Sequence, residues 1–208
     1  MTPQAMTRPE EKQTVENTIQ QLRDVYRDAP EMAKRALENA LPTLKSLAIE
    51  AQASKTESAG RIGVRLGKVS ELTVIAPFAP GGAKRLRTVL RLLNGNFSAG
   101  AKVGTLHQMR FVFLDNDTKF LFATAYDGAW DPYIEDFATK IPNAMDLWLS
   151  NFEGYPGMRN PSAAKDWIAK HQIAAEAWYV NSPSLTAAET RKLERVGSAV
   201  EELLDKIG

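Results

Sequence analysis

The chain has 208 residues, of which 44% are hydrophobic and 25% charged, and its 26 basic and 25 acidic residues leave a net charge of +1. This composition is typical of a globular protein with a sizeable core, and the near-neutral charge excludes an overall attraction to nucleic acid or to an anionic membrane. Because cysteine is absent, disulfides, thiolate nucleophiles and cysteine-ligated metal centres are excluded as well.

Nothing in the sequence predicts export or membrane insertion. The first residues, MTPQAMTRPEEKQ, carry charge and proline where a secretory signal needs an apolar segment. No later apolar run approaches the roughly 18 residues of a membrane-spanning helix. We therefore expect a cytoplasmic protein without a membrane span.

Two helices are predicted near the start of the chain. Apolar residues recur at helical spacing from Pro9 to Ala29, and Pro30 is expected to end this helix because the residue before a proline avoids helical geometry. A second helix is predicted from Glu31 to Ala48, with Pro42 kinking or dividing it. The two form a helical hairpin whose apolar faces need a cover. The following domain, a second copy or a lipid surface could supply it, and the mixed charges of KRALEN disfavour lipid.

A linker of residues 54–70 is predicted to join this N-terminal extension, residues 1–53, to a main domain of residues 71–208. The linker contains SKTESAG and GVRLGK and is rich in small, polar and glycine residues. A short edge strand is expected in it around Arg61–Leu66.

The main domain is predicted to begin with a strand, Glu71–Phe78, and a helix that ends at Leu93. Lys84, Arg87 and Arg91 share one face of this helix, just after a glycine-containing turn at which a phosphate could bind. The run PGGAKR is neither a Walker loop nor a dinucleotide fingerprint, so a solvated basic face is the favoured interpretation.

An aromatic-rich hairpin follows. Thr105–Leu114 and Lys119–Tyr126 are predicted as antiparallel strands, because apolar side chains alternate along them and Asp115–Asp117 supplies turn-forming residues between them. Asp127 and Gly128 then turn the chain out of the second strand.

The region after the hairpin is predicted to be mainly helical. Asp131 and Pro132 are expected to cap and begin a helix that resumes after Pro142. A short helix, Ser162–His171, leads to a predicted last strand, Ala174–Val180.

The C-terminal helix is predicted to start near Ala187. Thr186 and Glu189 have the spacing of a capping box. The helix carries an apolar stripe suited to covering a sheet, formed by Leu193, Val196, Val200, Leu203, Leu204 and Ile207.

The order of elements between Glu71 and Val180 predicts the fold class. Strand, helix, strand, strand, helix and strand is the βαββαβ pattern of the ferredoxin-like fold, an α+β fold with an antiparallel sheet and helices on one face. The other face needs a cover, since large apolar sheet faces are rarely left bare. A second copy forming a dimeric barrel, the N-terminal helical hairpin, or a ligand cavity would each meet that need.

Four residues of the hairpin form the candidate catalytic set: His107, Arg110, Tyr126 and Asp127. Histidine could act as a general base or haem ligand, arginine could bind a carboxylate or polarise peroxide, and tyrosine with aspartate could orient a substrate. His107 and Arg110 are three residues apart on a strand, so they point to opposite faces unless a bulge intervenes.

A structural interpretation of the same residues stays open. In it, His107 is a hydrogen-bonded core residue, Arg110 pairs with Asp127 or Asp136, and the aspartate at 127 is turn chemistry. His171, at the end of a short helix, is expected to interact with the helix dipole, with haem ligation as the alternative. His171 and His107 are thus the candidate cofactor-binding residues, with haem as the cofactor.

Several other functions lack their motifs. Two histidines without an HExxH run do not predict a zinc site, and no metal site is expected. No G-x-S-x-G elbow supports a serine hydrolase. The basic platform of stacked aromatics found in RNA-binding domains is missing, so nucleic-acid binding is not expected.

The run GTLHQMRFVFLDNDTKFLFATAYDGAWDPYIEDF resembles a largely uncharacterised group of bacterial proteins with the pattern GT-x-H-F-A-R-F-x-x-L, a YDG or FDG turn and Y-I-x-D-F. The likeness covers roughly the second half of the chain, and Gln108 and Met109 depart from the Phe-Ala of the pattern. More distantly, the topology is similar to dimeric α+β barrels, which include haem-handling peroxidase-like enzymes and cofactor-free monooxygenases. The matching residues are Gly104, Thr105, His107, Arg110, Leu114, Tyr126, Asp127, Gly128, Tyr133, Ile134, Asp136 and Phe137.

These observations favour a homodimeric protein of the α+β barrel type that binds a small apolar or aromatic molecule. Its chemistry would be oxidative, either haem-linked or free of cofactor. The alternative is a non-catalytic binding or homo-oligomeric assembly module, in which the aromatic residues belong to the core and the N-terminal hairpin mediates association.

Overall fold

The structure is a computed structural model that describes residues 8–50, 57–98 and 102–207. The chain divides into two compact units, residues 1–55 and 56–208. Among the described residues, no helix is both long and apolar enough to cross a membrane.

The first unit contains helices α1 (Arg8–Val25) and α2 (Glu31–Glu50). Arg23 of α1 pairs with Glu38 of α2 at 3.1 Å. Helix α2 runs through Pro42 without a break, so the proline does not divide it. The two helices share a small apolar cluster of Val15, Ile19, Leu37 and Leu41.

The second unit is built on a five-stranded antiparallel sheet with the order β1-β2-β3-β5-β4. A mixed α+β fold with an antiparallel sheet is therefore confirmed. The strand predicted in the 61–66 region is present as β2, although it lies between β1 and β3 and not at the edge of the sheet. The strands are β1 (Glu57–Ser58), β2 (Val64–Leu66), β3 (Val69–Pro77), β4 (Leu106–Leu114) and β5 (Lys119–Asp127).

Helices of the second unit follow the predicted positions closely, apart from one cap. Asp131 does not cap its helix, because the helix begins one residue earlier, at Trp130, after Ala129. The Asp131 carboxylate instead accepts a hydrogen bond from Lys165 at 2.9 Å. The helices are α3 (Gly82–Leu93), α4 (Trp130–Lys140), α5 (Pro142–Leu149), α6 (Pro161–His171) and α7 (Ala187–Ile207).

The main core lies between one face of the sheet and helices α3 to α6. Alternate residues of β3 and β5 enter this core, as the period of two predicts. The rings of Tyr126 on β5 and Tyr133 on α4 stack at 3.8 Å, and the Tyr133 hydroxyl contacts the Thr124 hydroxyl at 2.9 Å. All the buried aromatic residues of the described chain belong to this core, and the second sheet face is more polar.

The turn between β4 and β5 forms as predicted. Asp115, Asn116 and Asp117 all have positive φ, between 50° and 64°. Asn and Asp tolerate this left-handed region better than other non-glycine residues, because their short polar side chains hydrogen-bond locally. The three consecutive residues therefore reverse the chain without a glycine.

The predicted last strand, Ala174–Val180, is wrong. In its place, residues 172–186 form an irregular crossing segment, with a single bridge from Gln172 to Val74 of β3. β2 pairs with β3 at residues 69 and 70. This part of the β3 edge is therefore not free to pair with a continuous last strand. The chain leaves the β3 edge after Ile173, whose N–H donates to Thr73 at 2.9 Å.

The predicted covering role of the C-terminal helix is also wrong. The six apolar residues of its stripe are between 49% and 71% exposed. The contacts that fix α7 to the rest of the second unit lie at its first residues, the last of them a hydrogen bond from Arg191 to the carbonyl oxygen of Gly104 at 2.6 Å. The crossing segment, and not the helix, lies over the second sheet face.

Two helical glycines, Gly82 in α3 and Gly197 in α7, allow a test of how closely these helices pack against the rest of the second unit. A methyl group on Gly82 would overlap the carbonyl oxygen of Asn151, which is held in place by a hydrogen bond from the Ala79 N–H at 2.9 Å. We expect Gly82→Ala to lower the free energy of unfolding by about 1–3 kcal/mol. Urea unfolding followed by tryptophan fluorescence reports on the second unit alone, since all four tryptophans lie there.

The matched control is Gly197→Ala in α7, where an added methyl would meet nothing within 4 Å. Alanine is the better helix former, so this change should leave stability unchanged or raise it by up to about 1 kcal/mol. Equal destabilisation by both substitutions would contradict the packing described at Gly82.

Candidate functional site

A β-bulge in β4 places His107. Leu106 pairs with Tyr126 and Gln108 pairs with Ala125, so His107 is an extra residue without a direct partner on β5. The bulge shifts the alternation by one, and the His107 side chain reaches the sheet face opposite the main core. Arg110, paired with Ala123, has the same face. An unbroken strand would place His107 and Arg110 on opposite faces of the sheet, and the bulge places them on the same face.

The His107 imidazole is paired with Asp127 at the end of β5. Nε2 of His107 lies 2.6 Å from Oδ1 of Asp127, and both side chains are largely buried, 21% and 13% exposed. An ionised carboxylate only accepts hydrogen bonds, so Nε2 carries the proton and donates it. Nδ1 of the neutral ring is then the nitrogen with a free lone pair.

The same Asp127 carboxylate caps helix α7. The N–H of Ala187 donates to its two oxygens, at 3.2 and 3.0 Å. Because the N-terminus of a helix carries partial positive charge, an acceptor oxygen at this position stabilises the start of the helix. One side chain thus orients the histidine and anchors the start of α7.

Local sequence explains why Asp127 sits there. Gly128 follows it with φ of 79°, a left-handed conformation that suits glycine, and turns the chain toward α4. The N–H of Gly128 donates to Lys68 at 2.9 Å, and the Ser70 hydroxyl donates to the carbonyl oxygen of Gly128 at 2.5 Å. The turn is therefore tied to β3 and holds the carboxylate in place.

The start of α7 has further fixed contacts. The predicted capping box is confirmed: the Thr186 N–H donates to Glu189 at 2.7 Å, and the Glu189 N–H donates to the Thr186 hydroxyl at 3.1 Å. Lys68 Nζ also donates to the Glu189 carboxylate at 2.8 Å. These bonds fix the end of the crossing segment.

A buried carboxylate holds the middle of the crossing segment. Glu71 is 4% exposed and faces away from the main core. Its carboxylate accepts hydrogen bonds from the Thr73 hydroxyl at 3.1 Å and from the N–H of Ala175 at 3.4 Å. The side chain therefore links β3 to the crossing segment next to the His107 pair.

An open cleft of about 220 Å³ lies between the crossing segment and the sheet. His107 contributes its imidazole to the wall, two amide side chains contribute hydrogen-bonding groups, and the remaining wall is aliphatic and aromatic. It is lined by Val69, His107, Gln108, Ala125, Trp178, Tyr179, Val180 and Asn181.

Sequence reasoning missed most of this lining. The sequence predicts a strand that runs to Val180, and a strand would place Trp178 and Tyr179 on opposite faces. The proline and asparagine of the following NSP run are the signal that the segment is irregular.

Tyr126 is not part of the site formed by His107 and Asp127. It is fully buried on the core face, stacked on Tyr133, whereas His107 and Asp127 lie on the other face. Burial raises the pKa of the Tyr126 phenol well above its ordinary value, with the nearby Glu71 charge as a smaller cause. The residue therefore acts in the core as a neutral ring.

Arg110 is exposed, and it does not make the ion pair expected in the structural interpretation. Asp127 pairs with His107, and Asp136 pairs with Lys140 at 2.9 Å. Arg110 lies on the cleft side of the sheet without lining the cleft.

His171 lies elsewhere, in the last turn of α6. Its Nδ1 is 2.8 Å from the carbonyl oxygen of Trp167, and the two rings are 4.4 Å apart. A carbonyl oxygen accepts only, so Nδ1 of His171 carries the proton. The two histidines do not share a site, and no group of three metal-ligating side chains occurs in the described part of the chain.

A second, apolar cavity of about 50 Å³ lies within the main core. Its walls are aliphatic and aromatic core residues, including Phe111, Trp148 and Met145. A void of this size with such walls is a packing defect of the core, since ligand pockets are several times larger.

Comparison of the chain with protein-family models, with curated proteins and with solved structures found no match in any of the three. The resemblance to the bacterial group with the GT-x-H pattern stays a prediction. The chemistry of the cleft is therefore inferred from its own residues.

The carboxylate of Glu189 in the capping box predicts that the start of α7 is less stable at acid pH. Hydrogen bonds from Lys68 and from Thr186 lower the pKa of Glu189 from its ordinary 4.5 to about 2. Stability from this group is therefore complete above about pH 4.5 and is lost as the pH falls through about 2. The urea midpoint of the wild type should exceed that of Glu189→Gln near neutral pH, and the gap should close across this window.

The same measurement on Glu194→Gln, an exposed glutamate of α7 outside the capping box, is the control. It should show no such window. A gap for Glu189→Gln that is constant down to acid pH would contradict the capping role.

The hydrogen bonds of the two histidines predict opposite tautomers in one protein. At alkaline pH, long-range ¹H–¹⁵N spectra of the imidazoles should show His107 protonated at Nε2 and His171 protonated at Nδ1. In Asp127→Asn, the amide oxygen is expected to keep the bond from Ala187 while its NH₂ group faces His107. The His107 proton should then move to Nδ1, with His171 unchanged.

An Nδ1-protonated His107 in the wild type would contradict the pairing with Asp127.

Proposed function

We propose that this protein binds a small planar molecule in the cleft and that His107 accepts a proton from it. The observation that carries the proposal is the contact between His107 and Asp127 at 2.6 Å, with the imidazole in the wall of the cleft. A base oriented by a third group is the arrangement by which proteins hold an imidazole in the tautomer that can accept a proton. The cleft therefore supports proton transfer without a cofactor.

The lining defines the class of ligand. Trp178 and Tyr179 offer aromatic surface, and Gln108 and Asn181 offer amide groups that can bind a carbonyl or hydroxyl. A volume of about 220 Å³ is below the roughly 300–1,000 Å³ of drug-sized ligand pockets. A phenol or an enolisable carbonyl compound with one ring meets these limits, since each has an acidic proton beside a polar oxygen.

The fold is proposed to be a reduced ferredoxin-like fold. In support, the three long strands stand in the order β3-β5-β4, and the bridge from Gln172 lies on the side of β3 away from β5, where a fourth strand would pair beyond the residues that β2 occupies. The distant similarity to dimeric α+β barrels depends on this assignment, and it brings no activity with it.

The residues do not fit haem. The cleft is smaller than the usual pocket of a drug-sized ligand, and the imidazole of His107 is already bonded to Asp127 through Nε2. His171 lies against Trp167, away from the cleft lining. An oxidative role would therefore have to start from a substrate anion formed at His107.

One observation favours the non-catalytic alternative. The Asp127 carboxylate also binds the N–H of Ala187, so the pair could serve only to hold α7 on the sheet. The two functions differ in what His107 does beyond binding Asp127. A variant that keeps the hydrogen bond and removes the basic nitrogen separates them.

The test uses 4-nitrophenol, whose anion absorbs visible light. Binding beside a base should convert it to the phenolate, so adding the wild-type protein should raise the visible absorbance, with a dissociation constant of roughly 1 mM or tighter. His107→Gln can still donate to Asp127 but cannot accept a proton, so the rise should be lost. The fluorescence of Trp178 should still respond to binding.

His171→Gln, which removes the histidine outside the cleft, is the matched control and should behave as the wild type. A rise in absorbance that survives His107→Gln would overturn the role of His107. No binding of the phenol by the wild type would overturn the ligand class and favour the purely structural pair.

A further inference from the structure

The exposed stripe of α7 has the spacing of a coiled-coil seam. Its apolar residues alternate in steps of three and four, which is the a and d pattern of a seven-residue repeat. The a positions are Leu193, Val200 and Ile207, and the d positions are Val196 and Leu203. Leu204 borders this seam.

No part of the second unit covers the seam in the described structure. All six apolar residues are about half exposed or more. Gly197, on the border of the seam, has nothing within 4 Å of the position that a side chain would take.

The charges that flank the seam directly lie on one side of it. Lys192 and Lys206 occupy g positions, whereas the e positions on the other side are the uncharged Thr190, Gly197 and Leu204. Within the described residues, Lys192 has no ion-pair partner, and Lys206 pairs only with Glu202 on the same helix. Each helix therefore has one basic and one uncharged edge.

We propose that α7 pairs in parallel with α7 of a second copy of this chain. In a parallel pair related by a two-fold axis, the basic edge of each helix lies beside the uncharged edge of the other. An antiparallel pair would set the two basic edges together, with the lysines of one helix beside those of the other. Val200 and Ile207 at two of the three a positions, with Leu203 at one of the two d positions, also fit the pattern that favours two parallel strands.

The pairing is independent of the cleft and of His107. It uses a surface that the fold does not need for its own core, and an isologous interface closes at two copies. The seam has two heptads, so the dimer should be of moderate affinity and should depend on concentration.

Sedimentation or light scattering of the full chain should show a dimer at about 100 μM and dissociation on dilution. Val200→Lys puts a charge at the centre of the seam and should weaken the dimer about tenfold or more. Ser198→Lys, which puts the same residue on the outward side of the helix, should leave it unchanged. Circular dichroism checks that both variants keep their helices.

The orientation has its own test, because the chain has no cysteine. Leu193→Cys should form a disulfide-linked dimer on mild oxidation, since residue 193 meets its own copy only in the parallel arrangement. Arg195→Cys, on the outward side, is the control and should cross-link far less.

Three results would overturn the proposal: a wild-type monomer at about 100 μM, a dimer unaffected by Val200→Lys, or no cross-link through Leu193→Cys. Sedimentation with vesicles containing anionic lipid distinguishes the membrane as occupant. Vesicle binding by a monomer, lost in Val200→Lys, would assign the seam to a lipid surface and overturn the pairing.

Discussion

The carboxylate of Asp127 is the interaction on which the second unit's functional features depend. It ends β5, accepts the hydrogen bond from His107 and caps the first turn of α7. An ionised carboxylate that accepts from an imidazole and from a helix N-terminus makes charge-assisted bonds, which are stronger than neutral ones. Loss of this group would remove the histidine's partner and one of the contacts that fix the start of α7, so the position of His107 and the start of α7 depend on the same side chain.

The pairing exists because β4 contains a bulge. An unbroken strand would turn His107 toward the phenylalanines of the core, where its ring would need a buried polar partner. The extra residue moves the imidazole to the polar face and leaves Phe111 and Phe113 on the core side. Core packing and site geometry are both satisfied by this one irregularity, and bulges commonly redirect a side chain in this way.

Local sequence was enough to predict the parts of the structure whose causes are local. The capping box of Thr186 and Glu189, the left-handed turn at Asp115–Asp117 and the alternation of β4 and β5 each depend on residues a few positions apart. The bulge at His107 leaves no mark in a period-two pattern, because LHQMRFVFL alternates acceptably in either register. The cleft depends on contacts between residues about 70 positions apart, which a single sequence does not reveal.

The wrong predictions for the last strand and for the covering role of the C-terminal helix have a common physical source. An apolar run predicts burial, but it does not say what will bury it. For Ala174–Val180 the edge of β3 was already partly occupied by β2, so Trp178 packs over the sheet face as part of an irregular segment. For α7, the face that the stripe was expected to cover is taken by that same segment. The apolar stripe of α7 has a seven-residue spacing. This spacing is typical of a helix that packs against another helix, and a helix that covers a sheet does not require it.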